Sequence, residues 1–234
     1  QADPRLRSRL ISPRMTRPRF RPLLLGHRGA RDQKSIPENT VASFDQALTD
    51  GCDGFEFDVR LTADGIPLVC HDPQTRGFEI ARSSSEQVSA LPRLQDVLAR
   101  YQDRAFLDIE LKVSGLEKIT VASLQQHPPC RGFVLTSFLP DVLRGVHALN
   151  AGIPLGVICE TKAELSSWSE LPVDYVIPHY TLVDSALMSE VKAADKRILV
   201  WTVNTPVDMK RFASLGVDGV ISDNTSLLCR TLSE

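Results

Sequence analysis

Residues 23–29 read LLLGHRG, residues 54–61 read GFEFDVRL, and residues 66–73 read IPLVCHDP. Each segment is a short apolar run that ends in, or encloses, ionisable side chains. In a strand, residues two apart point to the same side, so Glu56 and Asp58 share a side that Phe55 and Phe57 do not. The pattern predicts buried strands that bring two histidines and two acids into one reaction centre.

The rest of the chain alternates between strand-like and helix-like segments. Eight predicted strands are each followed by a predicted helix. The strands lie at 23–26, 53–61, 105–111, 132–136, 154–159, 175–178, 198–203 and 219–222, and the helices at 40–50, 93–102, 115–126, 140–149, 162–170, 184–195, 206–215 and 224–232. Such alternation predicts a parallel sheet in an α/β protein. Eight strand–helix units fit a single (β/α)₈ TIM barrel, with a strand at 66–70 and a polar loop at 72–92 forming a short insertion after the second strand. A doubly wound open sheet is the alternative, although G-x-G-x-x-G and P-loop sequences are absent.

Charge is distributed unevenly along the 234 residues, whose net charge is −2. Residues 1–22 contain seven Arg and one Asp, which predicts a flexible basic arm before a barrel domain at 23–234. The net acidic remainder gives no reason to expect nucleic acid, and no apolar run approaches the ~20 residues of a transmembrane helix. Five scattered cysteines without a C-x-x-C pair favour reduced thiols and a cytoplasmic location.

Three carboxylates fall at the ends of predicted neighbouring strands. Glu56 and Asp58 lie on the second strand, and Glu110 lies on the third within Asp108-x-Glu110-x-Lys112. If all face a barrel interior they would repel one another unless a cation lies among them. Oxygen ligands suit Mg²⁺ or Ca²⁺. The alternative is that Glu56 and Asp58 form the solvated face of an edge strand.

His27 and His71 are candidates for a general acid and base, because imidazole titrates near neutral pH. Arg28 and Lys112 would supply positive charge for an anionic substrate. Each residue by itself is compatible with a structural or surface role. Together with the carboxylates they indicate phosphate chemistry, with a metal ion, two proton carriers and cationic groups.

The spacing of these motifs resembles the glycerophosphodiester phosphodiesterase family. The similarity lies in HRGA at 27–30, PENT at 37–40, EFDV at 56–59, LTADG at 61–65 and HD at 71–72. Weaker similarity continues through residues 109–112, 136–138, 200–204 and 216–223.

The resemblance implies a TIM barrel that hydrolyses glycerophosphodiesters to glycerol 3-phosphate and an alcohol with the help of Mg²⁺ or Ca²⁺. It implies one role for each candidate residue: metal ligands Glu56, Asp58 and Glu110; acid and base His27 and His71; substrate-binding Arg28, Lys112 and Trp201; and supporting Glu38, near the metal, and Asn39, which would hold the loop and cap the first helix.

Several alternatives stay open from the sequence. A related phospholipase or lyase would release a cyclic phosphate, and a non-catalytic barrel would only bind phosphodiesters. The preferred cation, the alcohol group and the assignment of acid and base to the two histidines are not determined, and a homo-oligomer is compatible with the sequence. The short loop at 72–92 is expected to leave the alcohol side of the site open and to decide which substrate fits.

Overall fold

The structure is a computed structural model that describes residues 21–232. The predicted basic arm at 1–22 therefore lies outside the described residues, except for its last two positions. Of these, Arg21 is fixed to the barrel, because its guanidinium lies 2.8 Å from a carboxylate oxygen of Asp53.

The described chain alternates strands and helices as the sequence predicts. The strands are β1 (Leu23–Gly26), β2 (Gly54–Leu61), β3 (Pro67–Val69), β4 (Gln74–Thr75), β5 (Phe78–Glu79), β6 (Phe106–Leu111), β7 (Phe133–Ser137), β8 (Leu155–Cys159), β9 (Tyr175–Pro178), β10 (Arg197–Val200) and β11 (Gly219–Ser222). The helices are α1 (Val41–Thr49), α2 (Leu94–Tyr101), α3 (Glu117–Gln126), α4 (Pro140–Leu149), α5 (Lys162–Leu165), α6 (Ser185–Ala193), α7 (Pro206–Leu215) and α8 (Thr225–Leu232).

The main sheet closes on itself. Its order runs β1, β11, β10, β9, β8, β7, β6, β2, and β1 also pairs in parallel with β2. Eight parallel strands with a helix after each one form a (β/α)₈ barrel, so the predicted fold is confirmed and the open-sheet alternative is wrong. The short strand β3 pairs antiparallel to β2 outside the barrel.

Strand periodicity separates two cores. Outward-facing residues of β2 and β6 pack against the helices, and there the rings of Phe44 and Phe55 stack with centroids 4.2 Å apart. Inward-facing residues such as Leu25, Phe106 and Ile221 fill the barrel interior. Toward the carboxyl ends of β2 and β6 the inward positions carry Glu56, Asp58 and Glu110, which places these ionisable groups at one end of the barrel.

The predicted loop at 72–92 contains regular structure. Strands β4 and β5 form a hairpin joined by Arg76 and Gly77, whose φ angles are 48° and 84°. Positive φ at both positions is typical of the type I′ turn that matches strand twist. A 3₁₀ turn at Ile80–Arg82 follows and buries Ile80.

Two predicted elements are wrong in extent by more than two residues, whereas the other helices and barrel strands differ from prediction by at most two residues at either end. The helix predicted at 162–170 ends at Leu165 and resumes as a 3₁₀ turn at Trp168–Glu170, because Ser166 and Ser167 bond to nearby backbone carbonyls instead of continuing the helix. The strand predicted at 198–203 ends at Val200, since Trp201 makes only an isolated bridge with His179.

The cysteines are all free, and Cys130 is exposed. Within residues 21–232, none of the helices combines the length and apolar character needed to cross a membrane.

Candidate active site

Strand register brings the carboxylates together. Asp58 on β2 is the direct partner of Glu110 on the neighbouring β6, and Glu56 is the partner of Asp108. All four side chains occupy inward positions, because the residues between them face the helices. The solvated-edge alternative for Glu56 and Asp58 is wrong, since the two residues are 5% and 1% exposed and β2 lies inside a closed sheet.

Glu56, Asp58 and Glu110 form one compact cluster. One oxygen from each lies within 4.8 Å of the others. Glu56 Oε1, Asp58 Oδ1 and Glu110 Oε1 are buried without an aligned hydrogen-bond donor, although the Lys112 ammonium lies near the last two and only Glu56 Oε1 lacks a cation beside it. Buried carboxylate oxygens without donors are costly unless a cation binds them. The donor set is therefore suited to a hard divalent cation.

The pKa shifts show that the three buried carboxylates destabilise one another when all are ionised. Burial, followed by repulsion from Asp58, raises the pKa of Glu56 well above its usual range. Burial and the charge of Asp58 likewise raise the pKa of Glu110 to about 7. For Asp58, burial acts in the same direction, but the charges of Lys112 and Arg28 outweigh it and lower the pKa. A divalent cation would favour the ionised form of all three.

Two cationic side chains border the cluster. Lys112 Nζ lies 2.8 Å from Glu110 Oε1 and 3.4 Å from Asp58 Oδ1. Arg28 Nε lies 3.3 Å from Asp58 Oδ2, and the Arg28 backbone N–H donates to Glu56 Oε2. Both cations also line the cavity above the cluster. They can therefore reach an anion bound there.

His27 follows β1 and points into the same cavity. Its Nδ1 lies 2.7 Å from Asp223 Oδ1, at the end of β11, and its Nε2 lies 3.9 Å from Glu56 Oε2. Burial lowers the pKa of His27 despite the hydrogen bond to Asp223. Burial disfavours ionisation of Asp223, but the hydrogen bond from His27 and its other partners hold the pKa of Asp223 at about 2. An ionised carboxylate only accepts, so Nδ1 is the protonated nitrogen and Nε2 of the neutral ring presents a lone pair to the cavity.

His71 lies across the cavity, after the insertion strand β3. Its Nδ1 lies 2.8 Å from Asp72 Oδ1, and Arg60 Nε donates to its backbone carbonyl. The His71 side chain is 34% exposed and that of Asp72 is 74% exposed. His71 is therefore the more accessible of the two histidines, with a partner that water reaches.

Glu38 and Asn39, the two predicted supporting residues, make contacts that differ in part from their predicted roles. Glu38 accepts from Arg28 Nη1 at 2.7 Å and from Arg31 Nε at 2.6 Å, and it stands outside the carboxylate cluster. Asn39 does not cap the first helix; the Thr40 hydroxyl does. The Asn39 amide instead donates to Asp58 Oδ2 at 2.8 Å and fixes the orientation of that carboxylate.

The cavity has a volume of about 400 Å³ and opens at the carboxyl end of the barrel. It contains most of the predicted site residues: His27, Arg28, Glu56, His71, Glu110, Lys112 and Trp201. Asp58, Glu38 and Asn39 lie behind its wall, where they bind the residues that line it. His71 lines the cavity but none of residues 72–92 does, and the expectation that this loop decides which alcohol fits stays a prediction.

Sequence reasoning missed a second layer around His27. Asp223 accepts from Asn204 Nδ2 at 2.7 Å and from Arg31 Nη1 at 3.2 Å, in addition to its bond with His27. Their position in the sequence could have identified these residues, because Asp223 and Asn204 both follow the ends of predicted strands. Asp108 was also not predicted as a site residue. It precedes Glu110 by two residues on the same side of β6 and accepts from Thr136 Oγ1 at 2.7 Å. Burial raises the pKa of Asp108 to about 7.

Comparison with known proteins supports one family. A family model described as "Glycerophosphoryl diester phosphodiesterase family" matches residues 27–90 and 79–227. A glycerophosphodiester phosphodiesterase from Caldanaerobacter subterraneus subsp. tengcongensis is 28% identical over 235 residues, which cover 88% of this chain and 96% of the relative.

Solved structures agree in fold. A phosphodiesterase from Oleispira antarctica, crystallised in complex with the product sn-glycerol-3-phosphate, has a TM-score of 0.81 and 26% identity, with 92% of this chain and 98% of that chain covered. A glycerophosphodiester phosphodiesterase from Parabacteroides distasonis has a TM-score of 0.80 and 24% identity, with 90% and 96% covered, which shows the shared fold. The match extends over nearly all of the barrel, and the chain belongs to the glycerophosphoryl diester phosphodiesterase family.

Proposed function

We propose that this protein hydrolyses glycerophosphodiesters to glycerol 3-phosphate and a free alcohol, with a divalent cation as cofactor. The observation that carries the proposal is that one cavity is lined by both histidines, by the side chains of Arg28 and Lys112, and by two members of the buried three-carboxylate cluster. The relative from Caldanaerobacter and the product named for the Oleispira enzyme support the same substrate class.

The cation would be held by Glu56, Asp58 and Glu110, which each offer one oxygen within 4.8 Å of the others. When bound, a divalent cation supplies a Lewis acid for phosphoryl oxygens. Mg²⁺ and Ca²⁺ both suit an all-oxygen set that water completes. Asn39 fixes Asp58, and the Arg28 backbone N–H fixes Glu56, so two of the three carboxylates are oriented in advance.

Arg28 and Lys112 would bind the phosphodiester and stabilise the charge that develops on its oxygens. Each of these two side chains is paired with a carboxylate of the cluster, which keeps its positive charge beside the cavity. Pre-positioned charge in a site with limited water acts without the reorganisation that bulk solvent would require.

The histidines would divide the proton transfers between them. One takes the proton from the nucleophile, which is water or the glycerol hydroxyl beside the phosphate, and the other donates a proton to the leaving alcohol. Asp223 and Asp72 each accept from Nδ1, so that Nε2 is the nitrogen available to the substrate.

The test is a panel of glycerophosphodiesters incubated with Mg²⁺, Ca²⁺ or a chelator, with glycerol 3-phosphate measured as product. We expect cation-dependent release, and a loss on the order of 10²-fold or more in kcat for His27→Ala and for His71→Ala. Glu190→Gln, which removes an exposed carboxylate from the outer helix α6, serves as the matched control.

Near-normal turnover by both histidine variants would refute the proposal, as would full activity in chelator. Phosphorus NMR of the products separates the alternatives that the sequence left open. A persistent cyclic phosphate would identify the lyase reaction instead, and a protein that binds the diesters without turnover would be a binding module.

A further inference from the structure

Two cysteines that are far apart in the sequence meet in the fold. Cys52 precedes β2 and Cys229 lies on α8, 177 positions later, yet their sulfur atoms are 3.6 Å apart. Both residues are buried, at 7% and 5% exposure. The contact lies at the amino end of β2, and neither cysteine lines the cavity at the carboxyl end of the barrel. The pair is therefore separate from the candidate active site.

The end of helix α1 fixes the backbone at Cys52. The Gly51 N–H donates to the Leu48 carbonyl and the Cys52 N–H donates to the Ala47 carbonyl, which is the bond pattern of a Schellman motif. Gly51 has a φ of 103°, which a residue with a side chain rarely adopts, so the glycine allows the chain to turn sharply there. Cys52 therefore has a defined position at the end of a helix.

A second contact fixes α8 against the same turn. The Thr225 hydroxyl on α8 donates to Asp50 Oδ2. Thr225 and Cys229 are one helical turn apart and lie on the same face of α8, while Asp50 and Cys52 belong to the turn that follows α1. Two side-chain contacts between the same two segments therefore hold the sulfur atoms opposite each other.

We propose that Cys52 and Cys229 form a disulfide site, at which a peroxide converts the two thiols into a covalent link that stabilises the barrel. The sulfur of Cys229 attacks one oxygen of hydrogen peroxide, which gives a sulfenic acid and water. The Cys52 sulfur then displaces the sulfenic oxygen as a second water and the S–S bond forms. The two thiols lose two electrons and two protons in total, and the peroxide is reduced to two molecules of water.

The contact between the thiols supports this order of steps. The hydrogen bond with Cys52 lowers the pKa of Cys229, whereas the same bond and burial raise the pKa of Cys52. Cys229 therefore ionises first, and the thiolate is the nucleophilic form. To form the bond the sulfur atoms must approach by about 1.5 Å, from 3.6 Å to the usual S–S length of about 2.05 Å.

The link would join the first and last parts of the barrel. Strand β1 pairs with both β2 and β11, so the barrel closes between the segment that carries Cys52 and the strand that precedes α8. A disulfide between residues so far apart in sequence restricts the unfolded chain and thereby stabilises the fold.

The first experiment treats the folded, full-length protein with a slight molar excess of hydrogen peroxide. A Cys70→Ser/Cys130→Ser background removes the two cysteines that are not buried. We expect loss of two of the three remaining thiols, a mass decrease of about 2 Da for the two hydrogens removed, and a Cys52–Cys229 peptide in a non-reduced digest. Dithiothreitol should reverse each change. Formation of the link only in unfolded protein, or no link at all, would overturn the proposal.

The second experiment compares the Tm of the oxidised and reduced forms by circular dichroism. Oxidation should raise Tm by about 5–15 °C, because the disulfide closes a long loop. Cys52→Ala and Cys229→Ala should each abolish the rise. Cys159→Ala, which removes a buried thiol from β8, is the matched control and should keep it.

An unchanged or lower Tm in the linked protein would overturn the proposal, as would a full rise in either Cys52→Ala or Cys229→Ala. Both experiments are independent of turnover, so their outcome does not depend on the proposed function.

Discussion

Asp223→Asn tests how the protein prepares His27. The carboxylate accepts from His27 Nδ1 at 2.7 Å, and the two side chains are only 20% and 11% exposed. An asparagine keeps the shape but removes the charge, and it can present its NH₂ group to Nδ1. The ring would then carry its proton on Nε2, and the lone pair that faces the substrate would be lost.

The size of the effect follows from this contact. A hydrogen bond to a charged group contributes about 1.5–3 kcal/mol. If the proton transfer at Nε2 loses that amount, kcat falls on the order of 10-fold to 150-fold, because each 1.4 kcal/mol is a factor of ten. The loss should appear mainly in kcat, since Asp223 is not among the residues that line the cavity.

The assay is steady-state hydrolysis of a glycerophosphodiester at saturating cation, with kcat and KM separated. Asp72→Asn is the matched control, because it makes the same change 2.8 Å from Nδ1 of His71 but on a carboxylate that is 74% exposed. We expect less than about a threefold loss there, since exposed pairs contribute little. Wild-type kcat in Asp223→Asn, or an equal loss in both variants, would refute the reasoning about His27.

Three further predictions concern stability. First, because the pKa of Asp223 is held at about 2, below its ordinary 3.8, the stability that it contributes is present above pH 3.8 and is lost as the pH falls toward 2. The unfolding free energies of wild type and Asp223→Asn should therefore differ by about 2 kcal/mol at pH 6 in urea titrations and converge near pH 2; a constant difference would contradict this. Second, Mg²⁺ or Ca²⁺ at 100 times its Kd should raise the Tm of the wild type by about 5–10 °C. In chelator at pH 8, Glu56→Gln should have a Tm about 2–4 °C above that of the wild type, because the substitution removes repulsion between the carboxylates of the cluster. The divalent cation should raise the Tm of this variant less than that of the wild type. A lower Tm for Glu56→Gln in chelator would show that the cluster is not strained. Third, Phe44→Ala should cost about 3–5 kcal/mol in chemical denaturation, because Phe44 is fully buried and stacks on Phe55; a cost below 1 kcal/mol would contradict the packing described.

Local sequence was a good guide wherever periodicity and end signals agreed. The helix at 140–149 and the strand at 219–222 have the predicted bounds, because Pro140 starts the first and the second is a short run of four buried residues. Prediction was weaker where short-range bonds compete with regular structure. Ser166 and Ser167 divide the predicted helix at 162–170, and the Arg76–Gly77 turn makes a hairpin inside a segment that reads as polar loop.

The site shows the same limit at longer range. Glu56, Asp58 and Glu110 were found because each falls on an apolar strand with a clear period of two. Asp223 was not predicted as a site residue, because its partner His27 is 196 positions away and the sequence around either residue does not indicate the contact. Glu38, predicted to lie near the metal, accepts from Arg28 and Arg31, and its approach to a bound metal stays a prediction.

The sequence by itself determined the barrel and the residue types at its carboxyl end, because strand alternation and strand ends can be read from neighbours along the chain. Tertiary structure decided how these groups act on one another. Closure of the sheet through β1 and β11 brings Asp223 to His27, and β2–β6 register compresses three acids into one cluster. It also placed Phe138, Glu160 and Trp201 in the cavity that contains the histidines. Such contacts join strands far apart in sequence, so only the closed fold specifies them.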